Sequence, residues 1–170
     1  MTPRALGGLV ALAVLVGDQA VKLAIVARSE AALDATPIAP FLDLVLRWNR
    51  GISFSLFTQD TAAGRATLLA VTLGAIALLG WWLASSRSYL AAGGLGAIIG
   101  GALGNALDRL THGAVVDYLD LHAFGRHFFV FNLADAAINV GVALLIVDLA
   151  FSPRGAQRRR REASHGTEQG

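Results

Sequence analysis

The sequence predicts an all-α membrane protein with four transmembrane helices, both termini on the cytoplasmic side, and a small β-rich loop region on the opposite side. Three features carry this expectation. The first is composition: 55% of the 170 residues are hydrophobic and only 15% charged, with a mean hydropathy of +0.57, whereas soluble domains carry charge on roughly a quarter of their residues. The second is segment length. A helix needs about 20 mostly apolar residues to cross a hydrocarbon core about 30 Å thick, and four stretches suffice, at about 6–26, 65–84, 89–110 and 132–151. The third is charge asymmetry. With four spans, Arg4, Arg87, Arg154 and Arg158 to Arg161 fall on one side, joined there only by tail acids such as Glu162 and Glu168, and the positive-inside rule makes that side cytoplasmic.

The first segment begins with Arg4 before an apolar run, as a secretory signal would. Its run is interrupted by Asp18 and Lys22 and then resumes, so it reads as a retained span rather than a cleaved leader. The loop region 27–64 follows. Within it, "FLDLVLRWNRGISFSLF" (41–57) alternates apolar and polar residues through Leu42, Leu44 and Leu46 and again through Ile52, Phe54 and Leu56. Short strands turning near Asn49-Arg50-Gly51 are expected, with Trp48, Phe54 and Phe57 suited to the membrane interface. In the third span Gly96, Gly100 and Gly104 recur every four residues, a small-residue face that lets another helix approach closely. Residues 111–131 form a short outer loop at the membrane surface, where His112, His122 and His127 read as interfacial loop residues. Residues 1–151 thus form one four-helix domain, and 152–170 a disordered basic cytoplasmic tail.

Several chemistries are disfavoured. The chain has no cysteine, so no disulfide framework, thiol nucleophile or cysteine-ligated metal is available. "GGLGAIIGGALGN" lies inside an apolar span and follows no strand, which argues against a phosphate cradle. The histidines lack metal-ligand spacing, and Ser53 and Ser55 have no histidine in a recognisable motif. No metal, cofactor or nucleic-acid partner is expected.

The intramembrane polar residues are what demand explanation. Asp18, Lys22, Asn105, Asp108, Arg109, Asn132 and Asp135 all fall in the outer layer of their spans, although a central Asp, Lys or Arg costs about 2.5–3.5 kcal/mol on insertion scales. Asp18 and Lys22, four apart, can pair along one helix face. Asn132 and Asp135 match an N-cap and a first-turn carboxylate. Asn105 and Asp108 stand at the wrong end of their helix for capping, where Arg109 can neutralise the carboxylate. Asp117, in "AVVDYLDL", has the weakest structural excuse. If Asp117 and Asp135 converge, repulsion prevents both from ionising and they share a proton, the chemistry of a water-activating aspartic peptidase. A proton-coupled transporter would need acids along a path across the bilayer, yet no Asp, Glu, Lys, Arg or His lies between Arg87 and Asp108 or between Asp135 and Asp148. A purely structural scaffold is the third reading.

"DQAVK" (18–22), "WNRGISF" (48–54), "GGALGNALDR" (100–109), "VVDYLD" (115–120) and "FNLADAAIN" (131–139) resemble, in order and spacing, the signature blocks of the lipoprotein signal peptidases, the bacterial type II signal peptidase family. The resemblance implies an inner-membrane aspartyl endopeptidase that removes signal peptides from prolipoproteins bearing a diacylglyceryl cysteine. It would work as a monomer in contact with membrane lipid, with its site near the periplasmic face and the β-rich loops periplasmic. The family's catalytic pair matches Asp117 and Asp135. Its other polar motif positions match Asp18, Lys22, Asn49, Asn105, Asp108, Arg109 and Asn132, which would orient the dyad and hold the substrate.

Overall fold

The structure, a computed structural model, describes residues 1–29, 35–50 and 62–151. Among the described residues, four helices and four strands follow in the order α1 (Pro3–Ser29), β1 (Thr36–Ala39), β2 (Leu42–Asn49), α2 (Ala62–Ser85), α3 (Tyr89–His112), β3 (Val115–Ala123), β4 (Arg126–Phe131) and α4 (Leu133–Phe151). All four helices are long and apolar enough to cross a membrane. Each expected span lies within three residues of an observed helix at both ends.

The third helix is the axis of the bundle. In its most apolar stretch 67% of residues are buried, against 17% for α1, 0% for α2 and 11% for α4. Its glycines make this possible. A Cβ on Gly100 would lie 2.5 Å from the Ala11 carbonyl oxygen of α1, and one on Gly101 would lie 2.5 Å from the Ala134 carbonyl oxygen of α4. The Gly96, Gly100 and Gly104 stripe therefore faces α1, while Gly94 and Gly101 form a second stripe that admits α4. Backbones in van der Waals contact substitute here for the large side-chain core of a soluble protein. The large apolar residues instead point outward, among them Leu9, Leu12, Val71, Leu78, Trp81, Ile146 and Leu149, as a hydrocarbon surrounding favours.

Sequence features set the ends of α3. Ser88 accepts a hydrogen bond from the Ala91 N–H at 3.2 Å as its N-cap, and also donates to Asp148 of α4. Gly113 takes the left-handed conformation, φ 68°, that closes a helix C-terminus. The chain then turns directly into β3.

The four strands form one antiparallel sheet in the order β1-β2-β3-β4. This corrects the sequence reading in one respect, the region 111–131. Strand β2 lies within the expected 41–57 alternation, and its described partners are β1 and β3; the second half of that alternation, Ile52 to Leu56, lies outside the described residues. Residues 111–131, read as a membrane-surface loop, supply half of the sheet. Their apolar character masked the alternation, and Phe124-Gly125, with φ of 52° and 72°, makes the tight turn that two positive φ values allow. His122 and His127 are accordingly strand residues, and His112 closes α3. His122 Nε2 lies 3.1 Å from Asp43 Oδ1 and His127 Nδ1 lies 2.8 Å from Asp120 Oδ2, so these pairs tie β2, β3 and β4 together.

Candidate active site

The N-terminus of α4 organises the polar cluster. A helix leaves its first N–H groups without intrahelical partners, and in an apolar bundle each needs a substitute. The Leu133 N–H donates to the Tyr118 hydroxyl oxygen at 3.1 Å, the Ala134 N–H to Asp18 Oδ1 at 2.9 Å, and the Asp135 N–H to Asn132 Oδ1 at 2.9 Å. The Asn132 N–H donates in return to Asp135 Oδ2 at 3.3 Å, which makes Asn132 and Asp135 a reciprocal capping box. Three elements, α1, β3 and the β4–α4 junction, are thus joined by one helix end.

Lys22 lies at the centre of a second layer. Its Nζ is 2.8 Å from Asp18 Oδ2, 2.8 Å from Asp108 Oδ2 and 3.0 Å from Asn105 Oδ1. The i,i+4 pair expected on α1 is present, and Asp108 of α3 completes it. Asp108 also accepts from the Val116 N–H at 3.0 Å and from Gln19 at 2.9 Å. The acid at the wrong helix pole therefore has two compensations, a lysine and the backbone of β3, and it fixes the residue next to Asp117.

The two candidate carboxylates meet across the asparagines. Asp117 Oδ1 accepts from Asn132 Nδ2 at 2.6 Å, and Asp117 Oδ2 accepts from Asn49 Nδ2 at 2.9 Å. Asn105 Nδ2 donates to Asp135 Oδ1 at 2.8 Å, while Asn105 Oδ1 accepts from both Lys22 and Asn132, the latter at 3.2 Å. Asn132 therefore bonds both carboxylates. Arg109 donates to the Asn105 carbonyl oxygen at 3.1 Å and lies within electrostatic range of Asp135, Asp108 and Asp117. All nine residues singled out from the sequence belong to this one assembly. Gln19 and Tyr118 belong to it too and were not singled out. Both were legible as polar residues within the "DQAVK" and "VVDYLD" blocks, but their roles depend on partners far along the chain.

The electrostatics separate the two acids. Asp18, Asp108 and Asp117 are each at most 2% exposed, whereas Asp135 is half-buried and lines a cavity of about 490 Å³ with Phe129, Phe131 and Ile138. Burial raises the Asp117 pKa above the usual carboxylate range, and the Asp135 charge raises it further; the hydrogen bonds from Asn49 and Asn132 and the Lys22 charge only partly oppose this. Burial likewise pushes the Tyr118 hydroxyl up to about 12, so it stays a neutral acceptor for the Leu133 N–H. Four carboxylates face two cations in the cluster. Excess buried negative charge is relieved by binding a proton, and a water reaching Asp135 through the cavity would meet a carboxylate pair able to take and give one.

Known proteins bear on this arrangement. A family model described as Signal peptidase (SPase) II matches residues 10–151. The lipoprotein signal peptidase of Methylobacterium sp. (strain 4-46) is 47% identical over 153 residues, covering 89% of this chain and 93% of its own. That of Beijerinckia indica is 51% identical over 149 residues, covering 87% and 89%. Two solved bacterial membrane enzymes superpose with TM-scores of 0.71 and 0.73 at 28% and 26% identity, covering 84% and 86% of this chain and 86% and 93% of their own. The match runs through all four helices and every polar block of the cluster, and on it the chain belongs to the signal peptidase II family.

Proposed function

We propose that this chain is an intramembrane aspartyl endopeptidase that removes signal peptides from diacylglyceryl-modified prolipoproteins, cutting on the N-terminal side of the lipidated cysteine. The observation that carries the reading is Asn132, which binds Asp117 with its side chain and Asp135 with its side chain and backbone. The dyad shares one proton, which burial biases toward Asp117. Asp135, open to the cavity, is the base. It takes a proton from a water whose oxygen attacks the scissile carbonyl carbon, while the Asp117 proton stabilises the developing oxyanion. Collapse of the tetrahedral intermediate breaks the C–N bond, and the amine departs with a proton from the dyad, leaving a new carboxyl terminus on the signal peptide.

The remaining polar residues hold this geometry. Asn49 and Asn132 orient Asp117, Asn105 orients Asp135, and Asp18, Lys22 and Asp108 fix the backbones of α4 and β3. Arg109 offsets the negative charge. Residues 1–151 act as one membrane domain with residues 152–170 as a basic cytoplasmic tail. The site lies at the periplasmic side of the inner membrane, where apolar signal helices emerge from lipid, and a single copy contains all the groups the reaction uses. Purified chain in detergent, given a diacylglyceryl-modified prolipoprotein, is expected to cleave it, and Asp117→Asn and Asp135→Asn are each expected to abolish cleavage. Cleavage at the wild-type rate by either variant would overturn the assignment.

A further inference from the structure

Strand β4 ends the sheet: it pairs with β3 on one side, and among the described residues no strand lies along its other edge. Natural sheets blunt such edges with proline, with charge or by covering them. Here Arg126 and His127 stand at the hairpin end, while the four residues nearest the carboxylates, Phe128 to Phe131, carry no charge and no proline. Phe128 and Phe129 are 59% and 55% exposed. Lipid tails cannot occupy this edge to advantage, since unpaired backbone groups in hydrocarbon stay unsatisfied. An extended peptide can.

The edge also lies in the right place. From Phe131 the chain passes directly through Asn132 to Asp135, and the cavity beside Asp135 is lined by Phe129 and Phe131, which are two apart and so share a face of the strand. A peptide paired with β4 would set alternate side chains into this apolar cavity and the intervening ones away from it, with its backbone running toward the carboxylate pair. Peptide hydrolysis needs an extended scissile segment, because a helical carbonyl is already hydrogen-bonded. Strand addition supplies affinity through main-chain hydrogen bonds, whatever the side chains.

We infer that the substrate segment preceding the lipidated cysteine adds as a further strand to the edge of β4 that carries none among the described residues, and places every second side chain in the cavity between Phe129, Phe131 and Ile138. This rests on the peptidase reading above and specifies how its substrate is held.

The test is an ester scan. A series of synthetic lipopeptide substrates replaces one backbone N–H at a time by oxygen over the five residues before the scissile bond, and each is assayed with the full chain in nanodiscs. Strand pairing predicts a period of two: substitutions at N–H groups facing β4 lower kcat/KM by about fivefold to tenfold, and those between change it less than about twofold. Cleavage of every member with uniform or no loss overturns the inference and leaves the peptidase reading intact. Failure to cleave the all-amide parent overturns the peptidase reading and the inference with it.

Discussion

Replacing Lys22 with methionine tests the polar cluster at its centre. Methionine keeps the length and apolar stem of lysine and removes only the ammonium, so packing changes little. Three contacts of 2.8, 2.8 and 3.0 Å disappear together. Asp18 and Asp108, 0% and 1% exposed, are then left facing each other without the cation between them. Removing one partner of a buried ion pair costs about 3–5 kcal/mol, and the upper half of that range is expected because two carboxylates are orphaned. Asp18 also caps α4 and Asp108 also holds the Val116 N–H, so both candidate carboxylates shift. A displacement near 1 Å can lower a rate by about 10²-fold. Reversible unfolding in mixed micelles measures the first effect, and lipopeptide cleavage the second. The double variant Lys22→Met with Asp108→Asn removes one excess charge and should recover part of the stability. A single variant within about 1 kcal/mol of wild type, cleaving normally, would refute the view that Lys22 neutralises and positions this cluster.

Other perturbations probe separate contacts. Asp117→Asn should abolish cleavage. A carboxyl whose pKa is raised by burial contributes stability that is fully present below its unfolded pKa and lost as pH rises through the folded value, so the variant should unfold with a weaker pH dependence on that limb. For the same reason wild-type cleavage should decline as pH rises through the raised Asp117 value, because the doubly ionised pair has no proton to donate; a flat alkaline limb in kcat/KM would contradict this. Tyr118→Phe removes the oxygen that accepts the Leu133 N–H and should cost about 1 kcal/mol of stability, as loss of a helix cap does, with reduced cleavage. Gly100→Leu cannot be accommodated, since even a Cβ would lie 2.5 Å from the Ala11 carbonyl oxygen. Destabilisation of at least about 1–3 kcal/mol is expected, whereas Gly93→Leu, where a Cβ meets nothing within 4 Å, should be tolerated.

The residues that drew notice in the sequence did so because each was out of place. Asp18 and Lys22 interrupted an apolar run, Asp108 stood at the unfavourable pole of its helix, and Asp117 was polar among apolar neighbours. A charge in a membrane span needs a partner, so the list of candidates was readable without coordinates. Gln19 and Tyr118 escaped notice because their partners, Asp108 and the Leu133 N–H, lie 89 and 15 residues away in the chain. Residues 111–131 were read as a surface loop because apolar residues broken by Asp117, Asp120, His122, Arg126 and His127 suit a membrane-surface segment, and only the pairing of β2 with β3 and of β3 with β4 reveals strands and a hairpin.

By itself the sequence determined what a bilayer enforces locally: four spans, a glycine stripe on the third, and a layer of polar residues at one end. Span length and the cost of an unpaired charge depend on neighbours in the chain, and these are written in order. The tertiary structure decided which glycine face meets which helix, that Asp108 holds β3, and that Asn132 stands between Asp117 and Asp135. Those facts depend on backbone approach between segments as many as 116 residues apart, as between Asp18 and Ala134, and no local pattern encodes a distance across the bundle.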